Sequence, residues 1–580
     1  MKDYPPNSAR QAGRPHPGKS LALGAWALLL VLGLMALPVQ HVAAASFTVT
    51  KTADTNDGTC DADCSLREAI VAANASPGPH SITIPAGTYT LSVAGANENA
   101  AATGDLDILQ SMSLIGAGSA STIIQAGTNA TNGIDKVFSV NPNFDAALNV
   151  TFSGMTIRYG RNPSGFSGDG FGGGLDFEAS GTGNLTLTDC IVTDNSTLDG
   201  DGGGLTATNT PGGSGQVTIS NSTISNNHPA RIGGSSPFGG GIFFGANMKF
   251  VITNTSITGN SVAGSGGQGQ GGGIFFFGDA TPVGSVIHSG SISNNQAPSD
   301  GGGIYTTDAL TIDQGTVFSG NSSGRNGGGL FNSATGTTTL TNVTFLNNSA
   351  TSAGGGIRND SNGSAVLGVS FSRFVGNTAP SGSGMSRSAG TLTAEDNWWG
   401  CNYGPGTTGT DCPVAPNTNA GATVTRWLQL RHAANPATVQ TNGASALAAD
   451  LLGRNSGGPI GAGSLTNLAT FPVPAGTIFS NPVLGTLSGA STQFVGGQAS
   501  ATYTAGAALG AGSADATADG QKVTANITVQ NPTAVGLTTF SGRSSSPSGY
   551  GPWLLAGGIL GLGGVWLARR RRRILRIGQG

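Results

Sequence analysis

Apolar residues alternate with threonine, serine or asparagine in short runs along most of the chain. Leu185–Thr188 and Val217–Ser220 show the pattern, and Leu340–Phe345 repeats it in a looser form. A period of two is typical of a strand with one apolar and one polar face. No helical segment of about 10 residues fits between these runs, which excludes the βαβ crossovers of an α/β sheet.

A glycine triplet returns through the middle of the chain at intervals of 26 to 37 residues. The triplets begin at Gly172, Gly202, Gly239, Gly271, Gly301, Gly327 and Gly354, and a Gly-Ser-Gly variant begins at Gly382. A second mark keeps the same rhythm: an apolar residue, two small or polar residues, and then an asparagine. Its asparagines are Asn195, Asn227, Asn260, Asn295, Asn321, Asn348 and Asn377. Two marks in phase over many turns indicate a structural repeat.

A repeat of about 30 residues built from short strands predicts a right-handed parallel β-helix. Successive coils stack at about 4.8 Å, so equivalent residues lie directly above one another. We expect the stacked asparagines to bond to each other and to the turn backbone, as a structural ladder rather than a ligand site. The glycine triplets permit a tight or left-handed corner elsewhere in the coil.

Both ends of the chain read as targeting signals. A basic start, an apolar stretch and Ala43–Ala45 predict a secretory signal peptide, with an uncleaved anchor as the alternative. Residues 550–568 are apolar and uncharged, and five arginines follow, which predicts a membrane span with a cytoplasmic tail. We therefore expect an exported protein anchored in the membrane at a bacterial cell surface, with the ectodomain outside. Whether the tail is processed stays open.

The predicted fold class is all-β: the β-helix, then an Ig-like β-sandwich and a single C-terminal transmembrane helix. Alternation from Val523 to Val529 after the Asp519-Gly520 turn indicates the hairpins of the sandwich. In chain order we predict a signal peptide at 1–45, an N-terminal cap at 46–80, the β-helix at 81–400, a C-terminal cap or linker at 401–427, an Ig-like domain at 428–531, a linker at 532–549, the anchor at 550–568 and an arginine-rich tail at 569–580.

Composition narrows the class of ligand. Glycine accounts for 97 of 580 residues and charged residues for only 9 %. The formal net charge of −3 conceals an acidic region, because residues 46–568 hold 16 Lys and Arg against 28 Asp and Glu. Such a surface argues against nucleic acid as a partner.

The N-terminal cap carries a distinctive string, Cys64-Ser-Leu-Arg-Glu-Ala-Ile70, in which Ser65 and Glu68 have capping-box spacing. It resembles the N-terminal element of a bacterial CSLREAI-type family of secreted parallel β-helix proteins. The glycine and asparagine marks also resemble the GGAI and FxxN repeats of the polymorphic outer-membrane proteins, although glycine mostly replaces the alanine here. That resemblance implies an adhesin-like surface protein.

Five cysteines in an exported chain suggest two disulfides and one thiol. Proximity pairs Cys60 with Cys64 and Cys401 with Cys412, which leaves Cys190 as a buried thiol. No spacing of cysteine and histidine indicates a metal site, and no cofactor is expected.

Three functions remain open. The leading hypothesis is a non-enzymatic surface protein that presents the β-helix for adhesion to glycans or cells. The alternative is a polysaccharide lyase or hydrolase of the pectate-lyase-like β-helix class, which would use clustered carboxylates. Its candidate groove acids are Asp169 and Asp201 on neighbouring coils, which could equally be solvated turn residues. The second alternative is a structural surface-layer component.

Overall fold

The computed structural model describes residues 44–95, 98–162, 171–230, 236–264, 268–278, 284–361, 365–406, 418–461, 471–472 and 478–533. Within those residues the regular structure is almost entirely strand, with one helix, Leu66–Asn74. Long parallel sheets join each coil to the next, which confirms the prediction of an all-β chain folded as a parallel β-helix.

Most coils contribute two consecutive strands to a 20-stranded parallel sheet. Its strands are Ser46–Thr48, His80–Ile84, Gly87–Thr90, Met112–Gly116, Thr122–Gln125, Asn149–Ser153, Thr156–Arg158, Asn184–Thr188, Ile191–Thr193, Gln216–Ser220, Thr223–Ser225, Lys249–Thr258, Ser285–Ser293, Leu310–Asp313, Val317–Ser319, Thr338–Thr341, Thr344–Leu346, Val366–Ser370, Arg373–Val375 and Thr391–Glu395.

One further strand from each coil builds an 11-stranded parallel sheet. Its strands are Leu106–Ile108, Phe138–Val140, Leu175–Ala179, Leu205–Asn209, Ile242–Phe244, Ile274–Phe276, Ile304–Thr306, Leu330–Asn332, Ile357–Asp360, Met385–Ala389 and Asn419–Ala420. Two small sheets complete the coils, formed by Arg161–Asn162, Ser196–Thr197 and His228–Pro229 and by Gln296–Ala297, Ser322–Ser323 and Ser349–Ala350.

The core runs along the axis because inward positions of successive coils lie in register. Leu185 pairs with Val217, and Val217 pairs with Phe250. Near the C-terminal end, Phe318, Phe345, Phe374 and Trp399 form a column of stacked rings with centroids 4.7, 5.1 and 5.0 Å apart. Those distances follow from the spacing between coils, which brings equivalent rings into offset contact.

The asparagine mark forms one corner of the coil. The Nδ2 of each of the first six asparagines donates to the Oδ1 of the equivalent asparagine in the next coil, as from Asn260 to Asn295 at 3.0 Å. The same Oδ1 also accepts from the backbone N of Asn260 at 3.0 Å. The residue before each asparagine has φ between 53° and 66°, in the left-handed region that Gly, Asn and Asp tolerate best. Those residues are Asp194, Asn226, Gly259, Asn294, Gly320, Asn347 and Gly376.

The glycine triplet packs against this asparagine corner and not at an independent one. Gly271, first of its triplet, has φ of +69°. A Cβ on Gly272 would collide with the carbonyl oxygen of Gly302 in the next coil, and one on Gly273 would lie 3.1 Å from Cγ of Asn295. The glycine triplet and the asparagine therefore pack against each other at a single corner of the coil. Only glycine fits at that contact.

A short helix covers the first coil. The Ser65 hydroxyl accepts a bond from the Glu68 backbone N at 3.1 Å, and Glu68 Oε2 accepts one from the Ser65 backbone N at 2.7 Å. This reciprocal capping box begins the helix Leu66–Asn74, whose apolar face is buried. The predicted disulfide between Cys60 and Cys64 is confirmed.

The polar face of the same helix is buried too. Arg67 Nε donates to Asp54 Oδ1 at 2.7 Å, and its Nη1 donates to the carbonyl oxygens of Ala101 and Asp105 at 3.1 Å each. A buried guanidinium is tolerated here because its donors find a carboxylate and backbone oxygens. Arg67 thereby ties the cap to the coil that follows.

Two four-stranded sheets follow the β-helix and share a second hydrophobic core. The strands of the first are Leu428–Asn435, Ala444–Arg454, Gln498–Ala505 and Gly485–Ser488, and those of the second are Thr438–Gln440, Gln521–Gln530, Gly510–Ala518 and Phe479–Val483. Phe471–Pro472 pairs with Gln493–Phe494 beside them. All pairings in these sheets are antiparallel except that of Thr438–Gln440 with Gln521–Gln530.

Two adjacent tryptophans separate the two cores. Trp399 stacks on Phe374 and closes the core of the β-helix, whereas Trp398 belongs to the core of the four-stranded sheets. Trp398 Nε1 donates to Asp519 Oδ2 at 2.8 Å, and Arg373 Nε donates to the same oxygen at 2.8 Å. The turn at Asp519 therefore binds the last coils through a buried ion pair.

No helix in the described part of the chain is long and apolar enough to span a bilayer. The predicted signal peptide at 1–45 lies almost wholly outside the described residues, and the predicted anchor at 550–568 and tail at 569–580 lie entirely outside them.

Candidate functional site

The outward face of the 11-stranded sheet carries the most varied chemistry of the β-helix. One position, between two inward core residues, recurs in register through ten strands. In coil order it holds Asp107, Ser139, Asp176, Thr206, Phe243, Phe275, Tyr305, Phe331, Arg358 and Ser386. The face is thus acidic at one end, aromatic in the middle and basic beyond it.

The acidic end is a buried cluster of Asp105, Asp107, Asp135, Lys136 and Asp176, called here the acid–lysine cluster. Lys136 Nζ lies 3.1 Å from Asp176 Oδ2, and the Ala101 backbone N donates to Asp107 Oδ2 at 2.7 Å.

A small cavity of about 10 Å³ opens inside the cluster, which is room for one water-sized group and not for a sugar ring. Its lining residues are Glu98, Asn99, Asp105, Asp107, Asp135, Lys136, Ser139 and Asn162.

Burial shifts the pKa values of the groups in the acid–lysine cluster. It raises the pKa of Asp107 to about 7 and, with the neighbouring Asp107 charge, raises the pKa of Asp105 well above its usual value. Burial acts to lower the pKa of Lys136, but the carboxylates of Asp176 and Asp105 outweigh it and raise that pKa. Lys136 therefore stays protonated at neutral pH and is unsuited to act as a base.

Asp107→Asn is expected to change how stability depends on pH. A pKa raised in the folded state means that the folded protein binds this proton more tightly than the unfolded chain. The stability that Asp107 contributes by binding this proton is therefore present near pH 4 and is lost as pH rises towards 7. Asparagine keeps an acceptor for the Ala101 N–H and removes the buried charge, so the variant should be more stable at pH 8 by up to about 4 kcal/mol.

Denaturant unfolding from pH 4 to 8 in the presence of a chelator measures this difference. The groups that face Asp107 are Asp105, Glu98, Asp135 and Lys136, and they are unchanged in the variant. Asp313→Asn, on the 20-stranded sheet, is the control. Parallel pH profiles for Asp107→Asn and wild type would refute this assignment of the pKa.

The middle of the face is an aromatic column of Phe243, Phe275, Tyr305 and Phe331. Successive ring centroids lie 5.7, 5.0 and 4.9 Å apart, and each pair is within 6° of parallel. The ring faces are therefore occupied by one another, and Phe275 and Phe331 are only 4 % exposed. Phe277, which directly follows the strand Ile274–Phe276, is 48 % exposed. It offers solvent the apolar surface that the stacked rings do not.

Beyond the column lies a basic end. Arg358 is in register with Phe331, and its Nη1 donates to Ser386 Oγ at 2.7 Å. Its buried Nε has no hydrogen-bond partner among the described residues. Because that nitrogen is buried, it is not open to a ligand in this structure.

The structure does not show the two predicted groove acids, Asp169 and Asp201, as a pair. Asp201 is only 4 % exposed, and its Oδ1 accepts a bond from the Phe238 backbone N at 2.8 Å. It supports the next coil and does not line an open groove. Asp169 lies outside the described residues.

The other predicted residues lie at corners and caps. All seven ladder asparagines are buried and bonded from coil to coil. Cys190 is a buried free thiol, and burial raises its pKa to about 11. Cys401 is buried at the end of the β-helix, but Cys412 lies outside the described residues, so that pairing stays a prediction.

Sequence reasoning missed the acid–lysine cluster, because its residues precede the regular glycine marks. A signal was present: Asp107 and Asp176 are charged at single positions between apolar neighbours in short strands, where other coils have small or aromatic residues. Aligning the strands rather than the glycines would have placed both acids in one column.

Comparison with known proteins gives no assignment. No protein-family model matches the chain, and no curated protein matches it. A solved structure, that of pectate lyase Pel9A, is similar with a TM-score of 0.33 and 16 % sequence identity, over 66 % of this chain and 78 % of that one.

Proposed function

We propose that this is a non-enzymatic surface protein whose β-helix binds glycans through the outward face of the 11-stranded sheet. One observation carries the proposal: Phe277 is 48 % exposed directly after a strand of the aromatic column, and the next residue, Gly278, donates its N–H to the hydroxyl of Thr307 at 3.0 Å. Sugars combine apolar C–H surfaces with hydroxyl groups, and binding sites for them need aromatic surface beside a few placed polar groups.

The buried acids and lysine support binding over catalysis. The acid–lysine cluster has no room for a sugar, and Lys136 is held as an ammonium by Asp176. Asp201 is engaged with the backbone of its neighbour coil. An acid or base for glycoside cleavage must reach the scissile bond within hydrogen-bonding distance.

We propose further that the two four-stranded sheets form an Ig-like stalk and that residues 550–568 anchor the chain. The support is the shared core of the two sheets, together with the uncharged span and the five arginines that follow it. The export signal at 1–45 completes this topology, with the membrane as partner and the cell surface as location.

Phe277→Ala is expected to abolish binding to the glycans that the wild-type protein retains on a glycan array. The exposed side chain contributes little to folding, so stability should change by less than about 0.5 kcal/mol. Val495→Ala removes exposed apolar surface from the other domain and is the matched control. Binding equal to wild type in Phe277→Ala would contradict the assigned face, and turnover of any polysaccharide by the wild-type protein would contradict the non-enzymatic proposal.

A further inference from the structure

The acid–lysine cluster brings two deeply buried carboxyl groups to one cavity. Asp105 and Asp107 are 3 % and 1 % exposed. Lys136, the cation at the cavity, is engaged by Asp176 at 3.1 Å. Glu98 and Asp135 also line the cavity. Carboxyl groups at such depth need polar partners.

Two carboxylate oxygens in the cavity are unsatisfied. Asp105 Oδ2 and Asp107 Oδ1 are buried and have no hydrogen-bond partner among the described residues. Both residues line the cavity of about 10 Å³. Buried polar atoms are nearly always bonded in folded proteins, so two neighbouring orphans in one cavity indicate a missing partner. A cation is one partner that can serve two carboxylates at once.

The ligand atoms indicate which cation. No three carboxylate, imidazole or thiolate groups in the described part of the chain are arranged to hold a metal ion. The possible ligands around the cavity are the carboxylates of Asp105 and Asp107 and the neutral oxygens of Asn99, Ser139 and Asn162. An all-oxygen set that mixes carboxylate, amide and hydroxyl is typical of calcium, which also accepts water and irregular geometry.

We propose that Asp105 and Asp107, with neighbouring neutral oxygens, bind one Ca²⁺ ion in the cavity of the acid–lysine cluster. The ion satisfies the two unpartnered oxygens, Asp105 Oδ2 and Asp107 Oδ1. It also links the coil that Arg67 ties to the N-terminal cap with the next coil, since Asp105 and Ser139 come from successive coils. The site does not depend on the proposed glycan binding, which uses a different part of the face.

Calorimetric titration of CaCl₂ into the chelator-treated protein at pH 7.5 tests the proposal. We expect one saturable site in the wild type and slower amide exchange around residues 98–140 when Ca²⁺ is bound. Asp105→Asn/Asp107→Asn should lose that site. Asp313→Asn, an acid on the 20-stranded sheet, should keep it.

Each other outcome counts against the site. Absence of saturable Ca²⁺ binding by the wild type overturns it, and so does equal binding by the double variant. Binding of Mg²⁺ in preference to Ca²⁺ overturns the choice of ion. Amide exchange of the wild type with and without Ca²⁺ gives an answer even if the double variant fails to fold, because a change confined to other regions would place the ion elsewhere.

Discussion

Asn295→Ala is expected to destabilise the β-helix by about 3–5 kcal/mol, since buried polar groups left unpaired cost about 1–3 kcal/mol each. The side chain of Asn295 accepts from both nitrogens of Asn260 and donates to the Ile257 carbonyl oxygen and to Asn321 Oδ1. Alanine removes all four bonds and leaves buried donors and acceptors on both neighbouring coils. Chemical denaturation monitored by circular dichroism measures the decrease in the free energy of unfolding.

Ser293→Ala is the matched control for Asn295. Its hydroxyl bonds Thr258 on the half-buried outer face of the same coil, at 3.0 Å, so the change should cost less than about 1 kcal/mol. Asn295→Asp keeps the shape but replaces the donating nitrogen with an acceptor, and it should be nearly as harmful as alanine. A loss for Asn295→Ala no larger than that for Ser293→Ala would mean that the ladder is not a source of stability.

Asp519→Ala is expected to cost about 3–5 kcal/mol, which is the usual effect of removing one partner of a buried ion pair. Arg373 and Trp398 both donate to this carboxylate, and all three residues are buried. Without it the guanidinium lies between the two cores with no carboxylate at the turn. The four-stranded sheets should then separate from the last coil before the β-helix itself unfolds.

Tryptophan fluorescence during denaturation detects that separation, because Trp398 becomes solvated while the strand signal in circular dichroism persists. Asp450→Ala is the control in the same domain, since its ion pair with Arg431 is partly exposed and should contribute less than about 1 kcal/mol. Replacing Arg373 by Met in the Asp519→Ala background should recover part of the loss. A single unfolding transition shared by Asp519→Ala and Asp450→Ala would argue against this junction.

The contact between the turn at Asp519 and the last coils of the β-helix changes the role of the C-terminal domain. The sequence alone suggested an Ig-like domain that follows a separate C-terminal cap or linker. In the structure the turn at Asp519 contacts Trp398 directly, and Asn402 Nδ2 donates to the Leu430 carbonyl oxygen at 2.9 Å. The domain thus covers the open end of the solenoid, which needs a cap to keep its last strands from pairing with other chains.

The sequence by itself determined the β-helix, because its strand spacing places every repeated residue above its equivalent. The asparagine positions and the alternation of the strands were readable for that reason. The capping box at Ser65 and the short disulfide loop at Cys60 were readable because their partners are near in sequence. The left-handed residue before each asparagine was also visible as Asp, Asn or Gly, although its meaning required the observed backbone angles.

Only the tertiary structure decided which residues from separate coils share an environment. Asp105 and Lys136 lie far apart in the chain, and their pKa values follow from burial that no local pattern reveals. Likewise, nothing in the Trp398-Trp399 pair says which ring enters which core. That choice depends on where Asp519 arrives from 121 residues further along the chain. Stacking of equivalent residues depends only on the adjacent coil, so it repeats along the β-helix. The burial of a charged group depends on every segment of the chain that packs around it.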